Sequence, residues 1–161
     1  MSGYSRPPTI EDLKSLIRSL NEQGVEYLLI GGFALNAHGY NRATEDIDIL
    51  VRPDPETGGK VKAALMTLPD HAAKDIDPSW FQEGATIRVA DEFVVDVIFN
   101  AAGKTYAELK PYAETLDLDG IPVHTLNLRG LLMTKQTIRD KDRVDRLILQ
   151  KALENPDDTS Q

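Results

Sequence analysis

The sequence predicts one α/β or α+β domain, built from a small mixed β-sheet with helices packed against it. Two observations point to this fold class. Helix and strand patterns alternate over the first half of the chain, and two hairpin patterns and further helical segments follow. The chain of 161 residues has no linker-like stretch. We therefore expect residues 1–161 to form a single domain, with frayed ends at about 1–7 and 154–161.

The first half of the chain alternates helix and strand signals. Thr9 is a candidate helix cap with Asp12 at the capping-box position, and Gly24 is placed to end that helix. Gly31 and Gly32 are placed to turn the following strand into a short helix. The predicted order is a helix at 9–24, a strand at 25–30, a short helix at 33–38, a strand carrying Asp46 and Asp48, and a helix capped by Asp54 and closed by Pro69.

The second half of the chain predicts two hairpins and two helices. Residues 70–84 give weak signals and are expected to be irregular. Asp91-Glu92 and Asp119-Gly120 each lie between strand-like runs and are predicted to form tight hairpin turns. The predicted elements are strands at 85–90, 93–99, 113–118 and 121–125, a helix from Asn127 through Ile138, and a helix from about Asp140 to Leu153.

The composition limits the chemistry that the chain can perform. A net charge of −8 and a pI near 4.8 argue against indiscriminate binding to nucleic acid. No apolar run approaches the length of a membrane span, and the polar N-terminus lacks the apolar core of a signal peptide, so we expect a cytoplasmic protein. The absence of cysteine excludes disulfides, thiolate zinc sites and cysteine nucleophiles. A metal site must therefore use oxygen or histidine ligands.

Three carboxylates in apolar strands are the candidate catalytic residues. Side chains alternate between the faces of a strand, so Asp46 and Asp48 point to one side while the isoleucines between them point into a core. Asp96 is the only polar residue in the run 93–99. If the two strands are neighbours, the three carboxylates face one cleft and can hold two Mg²⁺ (or Mn²⁺) ions about 4 Å apart. The alternative is that backbone amides or an arginine such as Arg88 satisfy a buried Asp96.

The surroundings of the first two carboxylates distinguish them from other acids. The Asp-x-Asp triplet is a weak motif in a chain with 26 acidic residues, and it recurs at Asp75 and Asp77. That second copy has no glycine turn upstream, which predicts a solvated loop. By contrast, Gly31 and Gly32 precede the first copy, where their backbone amides can meet phosphate oxygens at close range. The alternative for the two glycines is an ordinary strand-to-helix turn.

The chain resembles a known family in two segments and at one residue of a predicted strand. Residues 31–49, from Gly31-Gly32 to Asp46-Ile47-Asp48-Ile49, resemble the signature of the DNA-polymerase-beta-type nucleotidyltransferase superfamily, most closely the small bacterial abortive-infection and toxin–antitoxin members. Asp96 matches the family's third carboxylate, and residues 131–145 resemble its helical Lys…Arg-x-Lys-Asp-x-x-Asp block. The resemblance implies the nucleotidyltransferase fold, with helices on one side of a small mixed sheet and helices at the C-terminal end.

The resemblance also implies roles for individual residues. Asp46, Asp48 and Asp96 would bind the metal and form the catalytic set, and Asp96 would help to deprotonate the acceptor hydroxyl. Gly32 stands where many relatives have serine, which removes a hydroxyl contact without touching the backbone amides. The residues expected to bind the nucleotide are Gly31, Gly32, Arg42, Thr44, Lys135 and Arg139.

Alternatives stay open for the cationic members of that set. Lys135 and Arg139 are four residues apart on a predicted helix and therefore share a face, from which they could balance charge on the phosphates. The alternative is a surface salt-bridge ladder with Asp142 and Asp145. Arg42 is either a phosphate donor or a loop anchor.

The activity implied by the resemblance is Mg²⁺-dependent transfer of a nucleoside monophosphate from an NTP to an RNA, protein or small-molecule acceptor, in the setting of a toxin–antitoxin system. Related acceptors include tRNA ends, partner proteins and antibiotics, and the sequence does not choose among them. The short chain leaves room for a protein partner or a homo-oligomer to complete the cleft. One alternative is a catalytically inactive, antitoxin-like scaffold that binds a partner protein. Another is a metal-dependent phosphohydrolase, which the lack of a histidine cluster disfavours.

Overall fold

The computed structural model describes residues 5–40, 44–135 and 140–154, with 140–144 described by their backbone. The helices are α1 (Ile10–Glu22), α2 (Gly32–Ala37), α3 (Pro55–Leu65), α4 (Tyr106–Leu109), α5 (Leu128–Met133) and α6 (Asp140–Glu154). The strands are β1 (Tyr27–Ile30), β2 (Asp46–Val51), β3 (Ile87–Ala90), β4 (Val94–Ile98), β5 (Asn100–Ala101), β6 (Lys104–Thr105), β7 (Ala113–Leu118) and β8 (Ile121–Leu126). Short 3₁₀ helices lie at Ala72–Asp75, Pro78–Glu83 and Lys110–Tyr112. Within these residues, no helix is both long and apolar enough to cross a membrane.

Six strands form one mixed sheet in the order β3-β4-β2-β1-β8-β7. The pairs β2-β4 and β1-β8 are parallel, and the other three neighbouring pairs are antiparallel. The core combines the apolar side chains of the central strands with the buried faces of α1 and α3. The predicted fold class, a mixed sheet with helices, is confirmed.

Several predicted elements are found with shifted ends, and two short elements were not predicted. The hairpin β5-β6 and helix α4 lie at residues 100–109, for which no element was predicted. The region 70–84, predicted to be irregular, contains two 3₁₀ helices. Helix α5 ends at Met133, earlier than the predicted end at Ile138, which lies outside the described residues. The expected frayed segments 1–4 and 155–161 also lie outside them.

The turn between β3 and β4 differs from the prediction. Instead of a tight two-residue turn at Asp91-Glu92, three residues, 91–93, separate the paired ends of the strands. Asp91 is only 3% exposed, and its carboxylate accepts hydrogen bonds from the backbone N–H groups of Asp70, Ala72 and Glu92. The three donors compensate the buried charge, because each replaces a hydrogen bond to water. The turn is therefore anchored to the segment that follows α3.

Helix α1 begins at the predicted capping box. The Thr9 hydroxyl accepts a hydrogen bond from the backbone N–H of Asp12, and the Asp12 carboxylate accepts one from the backbone N–H of Thr9. Arg6 donates to both Asp12 and Glu92, which ties the start of α1 to the β3-β4 turn. The Arg6 hydrogen bonds lower the pKa of Asp12 from 3.8 to about 2.

The lowered pKa of Asp12 predicts a pH dependence of stability. Because the folded-state value lies below the value of 3.8 for the free carboxyl, the contribution of Asp12 is present above pH 3.8 and is lost as the pH falls toward about 2. We expect the free energy of unfolding to fall less steeply in this window for Asp12→Asn than for the wild type. Urea unfolding at a series of pH values measures both slopes, and equal slopes would contradict the prediction.

Helix α3 contains two adjacent glycines in different surroundings. A Cβ on Gly58 would lie 2.7 Å from the Pro78 carbonyl oxygen and 2.9 Å from Cδ1 of Phe81, whereas a Cβ on Gly59 would meet nothing within 4 Å. Gly58 thus lets α3 pack directly against the 3₁₀ helix Pro78–Glu83. Phe81 in turn is fully buried and packs edge-on against Phe99.

The two glycines give a matched pair of alanine substitutions. Gly59→Ala should stabilise the protein by about 0.5–1 kcal/mol, because alanine loses less backbone entropy than glycine in a helix. Gly58→Ala should instead destabilise it by about 1 kcal/mol or more, because overpacking outweighs the same helix gain. Chemical unfolding of the two variants measures both changes. Stabilisation by both substitutions would show that the contact at Gly58 is loose.

Candidate active site

The parallel pairing of β2 with β4 brings three carboxylates together. Asp48 lies directly opposite Asp96 in the register of the two strands, and Asp46 lies two residues before Asp48 on the same face. One carboxylate oxygen of each residue lies within 4.8 Å of the others. Because β2 and β4 are neighbouring strands, the three carboxylates lie on one face of the sheet and share a cleft.

This donor set fits a hard divalent cation. Carboxylate oxygens are the ligands that Mg²⁺ and Mn²⁺ prefer, and three acids this close need positive charge nearby. Asp46 and Asp48 are partly exposed to the cleft, while Asp96 is buried at 7% exposure. A cation entering from solvent can therefore reach all three residues, with Asp96 at the base.

The glycine turn lies against the same carboxylates. Gly31 has φ +77°, and a Cβ built there would come within 2.5 Å of Oδ2 of Asp48. Both the backbone conformation and the lack of space therefore require glycine at this position. Gly32 begins helix α2, which has only six residues. The turn places a bare backbone beside Asp48, as a close approach to a ligand would require.

Arg88 bridges two of the three acids. It lies opposite Asp96 in the β3-β4 register and donates two hydrogen bonds of 3.0 Å to the Asp96 carboxylate, from Nε and Nη2. Nη2 also donates to Oδ2 of Asp46 at 3.1 Å. The pairing with Arg88 that was considered as the alternative for Asp96 is thus present, and the carboxylate also lines the cleft. The bridge to Asp46 was not predicted.

The position of Asp96 shifts its acidity. Burial raises the pKa of the Asp96 carboxyl, and the neighbouring Asp46 charge raises it further, while the Arg88 guanidinium acts in the opposite direction. The net direction is upward. Arg88 in turn has a raised pKa, chiefly because of its hydrogen bonds to Asp96.

A cleft of about 350 Å³ opens in front of the triad. Besides the triad and Arg88, its lining includes Gly31 of the glycine turn, Lys135 and residues of the β5-β6 hairpin. The cleft-lining residues are Ile30, Gly31, Asp46, Asp48, Thr86, Arg88, Asp96, Ile98, Asn100, Ala101, Ala102, Thr134 and Lys135. The unpredicted hairpin β5-β6 is therefore part of the candidate site.

Lys135 is held by a buried ion pair. Its Nζ lies 3.1 Å from Oδ2 of Asp145 on α6; Lys135 is 8% exposed and Asp145 is fully buried. Arg146 donates a hydrogen bond of 2.9 Å to the Lys135 carbonyl, which further ties α6 to the end of α5. The ladder predicted as an alternative is a surface feature, so the Lys135-Asp145 pair does not match it.

The other residues predicted to bind a nucleotide have different positions. Thr44 donates from its hydroxyl to the carbonyl oxygen of Asp46 at 3.0 Å, so it braces the start of β2. Gly31 and Lys135 line the cleft together with the triad. Arg42 and Arg139 lie outside the described residues.

Solved structures share the fold of this chain at low sequence identity. A proposed nucleotidyltransferase from Thermotoga maritima is 14% identical, with a TM-score of 0.57 and coverage of 91% of this chain and 92% of that chain. The antibiotic-resistance factor ANT(2'')-Ia is 14% identical, with a TM-score of 0.62 and coverage of 89% and 83%. A nucleotidyltransferase-like antigenic protein from Paracoccidioides brasiliensis is 15% identical, with a TM-score of 0.53 and coverage of 90% and 77%. These likenesses concern the fold alone.

Sequence comparison identifies the family. A comparison with curated proteins found no match. The family model described as nucleotidyl transferase AbiEii toxin, type IV TA system, matches residues 14–144 and therefore covers the glycine turn, all three carboxylates and Lys135. The chain belongs to the AbiEii family of nucleotidyltransferase toxins of type IV toxin–antitoxin systems.

Proposed function

We propose that the protein transfers a nucleoside monophosphate from an NTP to an acceptor hydroxyl, with release of pyrophosphate, and that Mg²⁺ or Mn²⁺ is required. The observation that carries the proposal is the meeting of Asp46, Asp48 and Asp96, whose carboxylate oxygens lie within 4.8 Å of one another beside the glycine turn. Membership of a nucleotidyltransferase toxin family supports the reaction class and a role in a toxin–antitoxin system.

The three aspartates hold the metal in this proposal. When bound, divalent cations lower the pKa of the acceptor hydroxyl and neutralise charge on the leaving oxygen. Asp96 lies buried at the base of the cleft and, as the family resemblance implies, helps to deprotonate the acceptor hydroxyl. The acceptor oxygen then bonds to the α-phosphorus as the bond to pyrophosphate breaks.

The nucleotide lies across the same cleft in this proposal. The Gly31 backbone approaches the phosphates from one wall, and Lys135 contacts a phosphate from another. The buried carboxylate of Asp145 fixes the position of the Lys135 ammonium, so little side-chain freedom is lost when the phosphate binds. Gly32, Arg42, Thr44 and Arg139 complete the proposed nucleotide-binding set on the basis of the family resemblance.

The acceptor in this proposal is an RNA, a protein or a small molecule of the cytoplasm, where NTPs are available. A cleft of about 350 Å³ that is open to solvent accommodates part of an NTP and leaves the acceptor to approach from outside. A protein partner or a second copy of the chain would complete the acceptor side. Residues of the β5-β6 hairpin, Asn100, Ala101 and Ala102, line this cleft and are candidates to contact the acceptor.

The reaction is tested by label transfer. The protein is incubated with Mg²⁺ and each α-³²P-labelled NTP in turn, with total RNA, lysate protein or aminoglycosides as acceptors. We expect label in one acceptor pool, with transfer reduced about 100-fold or more in Asp48→Asn, because a metal ligand is lost. Asp75→Asn changes an exposed aspartate in the second Asp-x-Asp triplet and serves as the matched control.

The outcomes of this experiment separate the candidate functions. Equal transfer by Asp48→Asn and the wild type would remove the triad from the mechanism. Release of inorganic phosphate without labelled acceptor would favour a phosphohydrolase. If no label is transferred or released, and a partner protein binds equally well with and without metal, the inactive scaffold is the better description.

The glycine turn gives a second test. Gly31→Ala should reduce transfer about 100-fold, because a Cβ there displaces the Asp48 carboxylate and small displacements of catalytic groups are costly. Gly39→Ala is the matched control, since Gly39 also has a positive φ, +98°, but a Cβ there would meet nothing within 4 Å. Gly39→Ala should lose about 1 kcal/mol of stability from the positive φ, and Gly31→Ala should lose more, because its backbone conformation is restricted to glycine and the added Cβ meets Asp48. Equal activities of the two variants would contradict the predicted contact.

A further inference from the structure

Arg88 occupies the space between two carboxylates of the triad. Its Nη2 atom donates at 3.0 Å to Oδ2 of Asp96 and at 3.1 Å to Oδ2 of Asp46, and its Nε donates at 3.0 Å to Oδ1 of Asp96. Both oxygens of Asp96 and one of Asp46 are thus directed at a single guanidinium. These are the carboxylates that the donor geometry assigns to a divalent cation.

A guanidinium in this position and a bound dication compete for the same carboxylates. Two like charges at hydrogen-bonding distance from the same oxygens repel strongly in a partly desolvated cleft. Each carboxylate oxygen also has a limited number of lone pairs, and those directed at Arg88 are unavailable to a metal. Withdrawal of the guanidinium therefore favours loading of the triad.

The Arg88 side chain is able to withdraw. It is 60% exposed, while the Asp96 side chain below it is only 10% exposed. The backbone of Arg88 is fixed in β3 by the pairing with β4, so a change of rotamer moves the charged end alone. The guanidinium can swing outward into solvent without disturbing the core.

We propose that Arg88 is a built-in counterion of the metal-free triad and competes with divalent cations for Asp46 and Asp96. This inference rests on the metal site of the proposed function and adds a positioning residue that controls loading of the site. In the metal-free protein, Arg88 neutralises carboxylates that would otherwise repel one another. The metal affinity of the wild type is then lower than that of the bare carboxylates, because the cation must displace Arg88.

The test is direct binding of Mn²⁺ to the metal-free full-length chain, with free Mn²⁺ followed by electron paramagnetic resonance. Arg88→Gln should bind Mn²⁺ about tenfold more tightly than the wild type, because the competing charge is gone. Arg88→Lys keeps the charge but loses the two-pronged contact, so its affinity should lie between those of the wild type and Arg88→Gln.

Two further variants serve as controls. Arg52→Gln removes the same charge from an exposed arginine that pairs with Glu26 and stacks on Tyr106. It should leave Mn²⁺ affinity unchanged, which excludes a general effect of net charge. Asp48→Asn should weaken Mn²⁺ binding in either background, which identifies the triad as the site of the measured binding.

A second readout distinguishes competition from a purely structural ion pair. Without metal, Arg88→Gln should unfold at a lower temperature than the wild type, because the Asp46 and Asp96 carboxylates lose their shared counterion. Added Mn²⁺ should raise its unfolding temperature by more than that of the wild type, because tighter binding gives greater stabilisation. If Arg88 formed only a structural ion pair, Arg88→Gln would lower the unfolding temperature without metal but would not increase the shift in that temperature produced by Mn²⁺.

The outcomes separate this inference from the proposed function. Unchanged or weaker Mn²⁺ binding by Arg88→Gln, with normal loss in Asp48→Asn, would overturn the role of Arg88 and leave the metal site intact. Absence of Mn²⁺ binding in the wild type and in Arg88→Gln would overturn both. Mn²⁺ binding by Arg88→Gln but not by the wild type would support the inference, because Arg88 would then prevent measurable binding in the wild type.

Discussion

The register between two parallel strands is the constraint on which the candidate site depends. Pairing of β2 with β4 sets Asp48 opposite Asp96, and the strand period then puts Asp46 on the same face. Repulsion among the three carboxylates destabilises the sheet. Burial of apolar side chains offsets this repulsion, as for Ile47 and Ile49, which are fully buried on the opposite face. A shift of one residue would turn either set of side chains to the wrong face, so packing of the core and assembly of the site select the same register.

Much of the fold could be predicted because its strongest signals are local. The capping box at Thr9, the glycine turn and the alternation in β2 each depend on a few neighbouring residues, and the structure contains all three. The β5-β6 hairpin and α4 are shorter, so they offer too little periodicity to recognise. The order of the segments that match the family, residues 31–49, Asp96 and residues 131–145, could be interpreted only through the family resemblance, because local interactions do not determine it.

The site was less predictable because its details depend on contacts distant in sequence. A two-residue turn at Asp91-Glu92 would set Arg88 opposite Val95, whereas the observed register sets it opposite Asp96. One added residue in the turn thus decides whether the guanidinium meets the triad. Similarly, Lys135 meets Asp145 only because α6 folds back against α5. The spacing of residues along one predicted helix could not reveal that α6 packs against α5.

The outer edges of the sheet differ from its centre in a way that affects behaviour in concentrated solution. β7 forms one edge and carries Glu114 and Asp117 exposed, while β3 forms the other and has only four residues. Short edges and edges with charged side chains are poor templates for strand addition by a neighbouring molecule. The same sheet that concentrates acids at its centre is therefore protected at its borders against edge-to-edge aggregation.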